Sequence, residues 1–292
     1  SATTINDDIE CTSDQVSFDY KHVHDIMRLN SFQAKLYSSD GHPSIKVSGM
    51  YLLPAMMNHS CLRNASRVFV GEAMVFYAAR DIRINEEITV EYCDGLLPLM
   101  MREALLGSRF QCQCPRCEVE RSVAPYLQEY SELFVALYAE AYEELRDMLT
   151  TGVRTSFSAS ERLANAYEGV RKKTTTFNHL TKLQKQWILA GFSSAFLANW
   201  FRKGHSTGFA QPSQFVTPVA LELLDAMMVS VPGVEHTLTF AMMLSLVAQR
   251  EDFQLSSQLF DKAKDECVAT YGKQRDDVIT ALAMRAAQRA PF

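Results

Sequence analysis

The stretch Asn58-His59-Ser60-Cys61-Leu62-Arg63-Asn64 is short and polar, and it is rich in side chains that can bind a metal or stabilise a turn. Taken alone, it predicts a polar turn, because asparagine and serine side chains hydrogen-bond to neighbouring backbone groups. A single histidine such as His59 is more often structural than catalytic. The meaning of the stretch therefore depends on two other segments, a cysteine cluster and a strand that ends in tyrosine.

Three thiols lie within six residues in the segment Cys112-Gln113-Cys114-Pro115-Arg116-Cys117. Zinc prefers four tetrahedral thiolate or imidazole ligands, with sulfur at about 2.3 Å, so three cysteines need a fourth ligand from elsewhere. Cys61 is the natural candidate because it lies inside the other dense motif. Reduced cysteines in a loop, or a redox pair formed by Cys114 and Cys117, remain the alternatives.

The third segment, Asn85-Glu86-Glu87-Ile88-Thr89-Val90-Glu91-Tyr92, predicts a turn that leads into a strand over 88–92. A tyrosine at the end of a strand is usually a core or rim residue, so Tyr92 alone does not indicate catalysis.

The chain has seven cysteines among 292 residues, an odd and clustered set that does not suit a secreted disulfide framework. The start of the chain carries no secretory signal pattern, so we expect a cytoplasmic or nuclear location. The longest uncharged, mostly apolar run, 187–201, is shorter than the roughly 20 residues that cross a bilayer, so no membrane span is predicted.

The net charge is −5, which argues against strong nucleic-acid binding through bulk positive charge. The excess of acidic residues lies in residues 1–120. It suits a cationic partner such as a lysine-bearing peptide, and it equally suits a solvated acidic surface. The sequence leaves the oligomeric state open.

Hydrophobic periodicity divides the chain at about residue 121. The predicted elements before it are a helix over 20–29, a hairpin with strands 67–70 and 73–79 and a turn at Gly71-Glu72, the strand 88–92, and a helix over 98–108. After it the period is helical throughout, and paired helices of this length are typical of tetratricopeptide-like stacking. The boundary signals there are Gly152 at a helix end, Ser158 to Glu161 as a capping box, Thr217 before Pro218, and Gly272 at a helix end.

In series, the three segments closely resemble the SET domain of protein lysine methyltransferases. The shared pattern is an Asn-His-Ser-Cys-x-x-Asn turn, a Glu-Glu-hydrophobic-x-x-x-Tyr strand and a Cys-x-Cys-x-x-Cys post-SET knuckle. The chain is most similar to the SET–MYND family. That family also has an upstream Asn-Ser-Phe segment, here Asn30-Ser31-Phe32, and a helical, tetratricopeptide-like C-terminal domain.

The resemblance implies a role for each motif residue. Asn58 and His59 hold S-adenosylmethionine, Asn30 contacts its methionine end, and Phe110 packs near its adenine. Tyr92 is the catalytic tyrosine of the lysine channel. The implied ligands of a structural zinc ion are Cys61, Cys112, Cys114 and Cys117.

The fold class expected from the resemblance is α+β: the C-terminal part of a SET β-fold with a zinc-binding post-SET knuckle, then an all-α tetratricopeptide-like domain. The expected domains are a leader (1–19), the SET domain (20–110), the knuckle (111–120) and the helical domain (121–292).

The expected function is S-adenosylmethionine-dependent methylation of a lysine in a histone or non-histone protein. The family's Gly-x-Gly strand and MYND finger are not found in this sequence. Their absence motivates two alternatives: a catalytically inactive, zinc-binding interaction module, or a structural fragment that pairs with a separate N-terminal piece. Arg63 also stands where the family usually has proline, and Asn85 stands where glycine is common, a position at which asparagine tolerates the left-handed conformation.

Overall fold

The computed structural model describes residues 19–37, 43–70, 73–107, 110–151 and 158–288. The predicted leader lies outside these residues except for its last one. The predicted turn at Gly71-Glu72 and the helix end at Gly152 also lie outside them. The chain divides into two compact units, residues 1–56 and residues 57–292.

The first unit contains one helix, a two-stranded antiparallel sheet and a single helical turn. Its elements are α1 (Tyr20–Asn30), β1 (Ser31–Tyr37), β2 (Pro43–Met50) and α2 (Leu52–Ala55). The predicted helix over 20–29 is confirmed by α1, which begins where the Asp19 carboxylate accepts the N–H of His22 at 3.0 Å. In the sheet, Ser31 pairs with Met50.

The second unit begins with four short strands in two pairs, which are β3 (Asn58–His59), β4 (Ala65–Val70), β5 (Ala73–Ala78) and β6 (Thr89–Val90). Strands β4 and β5 form the predicted antiparallel hairpin, with Ala65 opposite Ala78. Strands β3 and β6 are parallel, with His59 opposite Val90. The predicted strand 88–92 is therefore shorter than expected, because the N–H of Tyr92 donates to the His59 side chain and not to a neighbouring strand.

Asn64 fixes the loop before β6. Its Oδ1 accepts the N–H of Thr89 at 2.8 Å, and its Nδ2 donates to the carbonyl oxygen of Glu87 at 2.7 Å. Within that loop Asn85 has φ +66°, so the left-handed conformation predicted for this asparagine is confirmed. The loop is thus held from inside by one buried amide, which sets where β6 starts.

The rest of the second unit is helical. Its helices are α3 (Leu99–Leu106), α4 (Pro115–Thr151), α5 (Ser158–Thr175), α6 (Lys182–Ala190), α7 (Ser193–Thr207), α8 (Pro218–Ser230), α9 (Glu235–Ala248), α10 (Phe253–Tyr271) and α11 (Asp276–Gln288), with a 3₁₀ turn at Pro212–Gln214. The α+β class and the helical C-terminal part are confirmed. Because α4 starts at Pro115, Cys117 lies in a helical turn and not in the loop that the cysteine spacing suggested.

The boundary signals read from the sequence have physical counterparts. The N–H of Ala220 donates to Thr217 Oγ1 at 3.2 Å, and Gly272 ends α10 with φ +77°. At the start of α5, the N–H groups of Ala159 and Ser160 donate to the Glu144 carboxylate of α4, a contact that the capping-box pattern did not indicate.

The apolar run over 187–201 is divided between two helices, because α6 ends at Ala190 and α7 begins at Ser193. In the part of the chain that the structure describes, no helix is both long enough and apolar enough to span a membrane.

The main apolar core lies among helices α4 to α11. Trp200 of α7 is central to it: the ring stacks edge-to-face on Phe240 with centroids 5.0 Å apart, and its Nε1 donates to the Phe215 carbonyl at 2.9 Å. Leu96 and Leu97 follow residues 88–93, called here the Tyr92 segment, and belong to the same core. The helical part therefore packs directly on the chain that leaves β6.

Glu266 of α10 is 1% exposed and fixes the loop between α8 and α9. Its Oε1 accepts the N–H groups of Gly233 and Val234, each at 2.9 Å. Burial raises the pKa of Glu266 to about 7, against the opposing effect of these two N–H groups.

A raised carboxyl pKa makes the folded state bind the proton more tightly than the unfolded chain. The stability contributed by Glu266 is therefore complete below the unfolded pKa of about 4.3 and is lost as the pH rises through about 7. Between pH 5 and pH 8 we expect the wild type to lose about 3 kcal/mol of unfolding free energy relative to Glu266→Gln, which keeps an acceptor oxygen without the charge. Urea unfolding at several pH values measures this difference. The exposed control Glu251→Gln should follow the wild type, and parallel curves for Glu266→Gln and wild type would contradict the assignment.

Candidate metal centre and active site

Four cysteine sulfur atoms meet in the second unit. The Sγ atoms of Cys61, Cys112, Cys114 and Cys117 all lie within 4.8 Å of one another. Cys61 comes from the turn after β3, two cysteines precede α4, and Cys117 lies in its first turn. Cys61, Cys112 and Cys117 are buried, and none of the four is in a disulfide.

The donor set suits a zinc ion. A tetrahedral site with sulfur at about 2.3 Å from the metal places sulfur atoms about 3.8 Å apart, which is compatible with four sulfur atoms that all lie within 4.8 Å of one another. The neighbouring thiol of Cys112 raises the pKa of Cys61, whereas hydrogen bonds from Cys114 and Cys117 lower the pKa of Cys112. Four thiols so close together cannot all ionise unless a cation lies between them, so these residues would hold zinc through thiolates.

Positive charge already surrounds the cluster. Pro115 occupies the first position of α4, so Cys117 and the residues before it face the positive end of the helix. The Nη1 of Arg102 in α3 donates to Cys117 Sγ at 3.3 Å, and its Nε donates to the Leu97 carbonyl at 2.9 Å. Both features favour a thiolate over a thiol.

A buried ion triplet holds Arg102 in place. Its guanidinium pairs with the carboxylate of Glu120, whose other oxygen lies 3.1 Å from Arg116 Nε. Arg102 and Arg116 are fully buried, and Glu120 is nearly so. No sequence pattern indicates this triplet, since a lone arginine in a short helix is ordinarily a surface residue.

His59 connects the cluster to Tyr92. The His59 Nδ1 accepts the N–H of Tyr92 at 3.0 Å, and its Nε2 lies 3.2 Å from Cys61 Sγ. A ring whose Nδ1 accepts a hydrogen bond carries its proton on Nε2, so Nε2 donates to the sulfur. The His59 imidazole therefore links the Cys61 side chain to the backbone of Tyr92 through two hydrogen bonds.

The rings of His59, Tyr92 and Phe110 form an aromatic group beside the cluster. The ring centroids are 5.3 Å apart for His59 and Tyr92, 5.8 Å for His59 and Phe110, and 6.2 Å for Tyr92 and Phe110. Tyr92 is 48% exposed and Phe110 is 39% exposed. The structure thus brings three of the predicted site residues together and leaves two ring faces open to a ligand.

The Tyr92 hydroxyl is held as a neutral phenol. It donates to the Met57 carbonyl at 2.5 Å. Burial, and then the charge of Glu87, raise the pKa of Tyr92. A phenol in this setting orients a polar partner and does not act as a base near pH 7.

The two predicted asparagines have other partners in this structure. Asn58 Nδ2 donates to Glu87 Oε1 at 2.6 Å beside the aromatic group. Asn30, at the end of α1 in the first unit, donates from Nδ2 to the Ile26 carbonyl at 2.8 Å. Their roles as cofactor contacts stay predictions.

A fifth thiol, Cys93, packs against the four-cysteine cluster within hydrogen-bonding reach of Cys61. Its position follows from the backbone turn after β6, and no spacing pattern marks it.

With this geometry established, comparison with known proteins identifies the domain. Residues 5–93 match the family model of the SET domain. This chain carries a SET domain. The match begins within the segment predicted as a leader and ends one residue after Tyr92. The SET match therefore includes Asn30, Asn58, His59, Cys61 and Tyr92, and the other three clustered cysteines follow it.

The relatives include lysine methyltransferases. The human histone-lysine N-methyltransferase SMYD3 is 37% identical over 81 residues, which cover 27% of this chain and 19% of that protein. SmydA-8 of Drosophila melanogaster, a SET domain-containing protein, is 35% identical over 120 residues, or 40% and 26%. The chicken protein-lysine N-trimethyltransferase SMYD5 is 36% identical over 81 residues, or 24% and 18%. The chain thus spans about a fifth to a quarter of these relatives' lengths, and the resemblance to SET–MYND proteins is confirmed.

If the four thiolates bind zinc, removing one should release it. We expect about one zinc ion per chain in the wild type and a large loss in Cys61→Ser, with a lower melting temperature, because a structural zinc site contributes directly to folding. Elemental analysis and thermal unfolding measure both effects. Cys267→Ser removes a buried cysteine outside the cluster and should keep the metal. A wild type without zinc would refute the assignment.

The ion triplet should matter for the cluster as well as for the fold. In Glu120→Gln the buried guanidinium groups of Arg102 and Arg116 lose their counter-charge, which should cost about 3 kcal/mol of unfolding free energy. The control Glu118→Gln, at an exposed position two residues earlier in α4, should change the unfolding free energy little. Chemical unfolding of the zinc-loaded chains measures the free energy of unfolding of each variant. Equal stability of the two variants would show that the Glu120 charge does not compensate the buried arginines.

Proposed function

We propose that this chain is an S-adenosylmethionine-dependent protein-lysine N-methyltransferase with a structural zinc ion. Cys61, Cys112, Cys114 and Cys117 would hold the zinc as a post-SET knuckle. Tyr92 would be the catalytic residue. The cofactor would be bound by Asn30, Asn58, His59 and Phe110.

The observation that carries the proposal is the bridge made by His59. Its two ring nitrogens contact Cys61 and the backbone of Tyr92, so the metal site and the exposed tyrosine form one rigid group. Methyl transfer from a sulfonium to an amine is an in-line displacement that depends mainly on alignment. A rigid tyrosine beside open aromatic faces supports that kind of reaction.

The chain's own groups support a lysine as the acceptor. Free lysine has a pKa of about 10.4, so its amine must lose a proton before it attacks, and entry into a partly dry site favours the neutral form. The Tyr92 oxygen can accept a hydrogen bond from the amine while its own O–H donates to the Met57 carbonyl oxygen. The S-adenosylmethionine cofactor supplies the methyl group.

Acidic side chains near Tyr92 support a cationic substrate. Asp94 and Glu235 of α9 line a pocket of about 350 Å³ that begins one residue after Tyr92 in sequence. Glu91 and Arg67 line it as well, and Glu91 is paired with Arg63. Carboxylates in a concave surface attract a positively charged peptide before the amine loses its proton. The pocket wall from α9 suggests that the helical domain, which we propose is tetratricopeptide-like, takes part in substrate choice.

We further propose that the substrate is a histone or non-histone protein, met in the cytoplasm or nucleus. The relatives' names support methylation of a lysine as the reaction. We propose the same domain limits as the sequence predicts: a leader (1–19), a SET domain (20–110), a knuckle (111–120) and a helical domain (121–292).

A second candidate is a catalytically inactive, zinc-binding interaction module. The observation that favours it is the 2.6 Å hydrogen bond between Asn58 and Glu87, which commits one of the two Nδ2 hydrogens of Asn58 to a side chain of the protein itself.

The two candidates differ in the effect of Tyr92→Phe. For the enzyme, we expect methyl incorporation from labelled S-adenosylmethionine into a lysine-rich protein mixture to fall at least about tenfold, because the oxygen that orients the amine is lost. The cofactor affinity, measured by calorimetry, should change little.

Tyr126→Phe is the matched control, because Tyr126 is an exposed tyrosine on α4. It should methylate as the wild type does. Equal methylation by the Tyr92 variant would remove Tyr92 from the mechanism, whereas cofactor binding without any methylation in the wild type would favour the inactive module.

A further inference from the structure

Arg63 links the SET domain to the helical part. It is 4% exposed and lies in the turn between β3 and β4. Its Nη2 donates to the carbonyl oxygens of Pro232 and Gly233, each at 2.9 Å, across 169 and 170 residues of sequence. Its Nη1 donates to the Ala65 carbonyl at 3.4 Å, within its own turn.

The other side of Arg63 contacts the residue before Tyr92. Its Nε lies 3.4 Å from Glu91 Oε2, which makes an ion pair by distance without a hydrogen bond between the two buried atoms. Arg67 holds the same residue from the backbone, because its Nη1 donates to the Glu91 carbonyl at 3.3 Å. One guanidinium group therefore joins the Asn58–Asn64 turn, the Tyr92 segment and the loop between α8 and α9.

The α8–α9 loop, to which Arg63 donates its hydrogen bonds, is closely packed. Gly233 has φ +78°, and a Cβ there would lie 2.4 Å from the Ala269 carbonyl oxygen, so the backbone packs tightly on α10. Its N–H is bound to Glu266 and its carbonyl to Arg63, with Ser66 Oγ donating to that carbonyl at 3.3 Å. Gly95, just after the Tyr92 segment, also packs tightly against this loop, since a Cβ there would lie 2.8 Å from a side-chain carbon of Val231.

We infer that Arg63 is a positioning residue: through Glu91 it uses the α8–α9 loop to fix Tyr92. This inference rests on the proposed function for its catalytic consequence. The geometry assigns the helical part a second role, which is to hold the segment that carries Tyr92 through Glu91, whereas His59 holds it through the N–H of Tyr92. An arginine can do this because its planar group carries several donors in fixed directions, whereas lysine has a single ammonium group.

The test compares zinc-loaded Arg63→Met and Arg63→Lys with Arg275→Met, which removes an exposed arginine paired with Asp277. Hydrogen–deuterium exchange should rise in residues 88–93 and 231–234 of the Arg63 variants, more in Met than in Lys, with zinc content kept. The Arg275 variant should match the wild type. If residues 88–93 exchange as in the wild type, or if protection falls evenly over the whole chain, Arg63 does not position this segment.

Methylation gives the catalytic half of the test. Arg63→Met should lower kcat about tenfold or more while KM for S-adenosylmethionine stays within about twofold, because misplacement of a catalytic group affects alignment more than binding. Arg63→Lys should recover part of the rate.

In a double-mutant cycle, Arg63→Met should cause little further loss when Tyr92 is already Phe, since both changes then act on one group. Additive losses would overturn the inference. If no variant and no wild-type chain methylates, the proposed function fails, and the exchange experiment still decides whether Arg63 holds the segment.

Discussion

Four cysteine sulfur atoms gathered within 4.8 Å are the constraint on which the surrounding structure depends. As thiolates they would repel one another, so they could ionise in a buried site only with a cation and other positive groups close by. The chain supplies those groups from separate places: the start of α4, and Arg102 with its counter-ion Glu120. Because Cys61 lies about fifty residues before the other three in sequence, the same requirement pulls the Asn58–Asn64 turn onto the end of α3 and the start of α4. The aromatic group beside the cluster exists as a consequence, since His59 and Phe110 flank the two halves of the metal site.

The sequence predicted the parts of this arrangement that depend on local chemistry. The β4–β5 hairpin, the helix α1, the left-handed Asn85 and the Thr217 cap all follow from residues close together in the chain, where turn and cap preferences act directly. The pairing of Cys61 with the Cys112–Cys117 segment was also predictable, because metal chemistry allows only a few ligand types and a three-cysteine segment is incomplete.

The sequence could not predict contacts of polar side chains that lie far from their partners in the chain, at positions that no motif specifies. Arg102 and Arg63 look like surface residues in the sequence, yet both are buried. The Glu120 carboxylate of α4 pairs with Arg102, and two carbonyl oxygens of the α8–α9 loop accept from Arg63. The shortening of the predicted strand over 88–92 has the same origin, since it depends on an imidazole from β3 that takes the N–H of Tyr92. Periodicity describes which face of an element is apolar, and it carries no information about which polar groups meet on the inner side.

Tyr92 is thus held by two contacts that arise from different physical causes. On one side, His59 ties its backbone to the four-cysteine cluster, whose sulfur atoms are spaced to suit a metal ion. On the other side, Glu91 ties the preceding residue to Arg63 and the α8–α9 loop, an arrangement that depends on the packing of the helical part. Two independent restraints on adjacent residues remove rotation as well as translation, which a single restraint leaves free. For a reaction whose rate depends on alignment, such a pair is more effective than one stronger contact, because the entropy of the misaligned states is removed before the substrate binds. The described strands β3 and β6 are only two residues long, so residues 91 and 92 depend for their position on His59, on Arg63 and on the packing of the helices more than on sheet pairing.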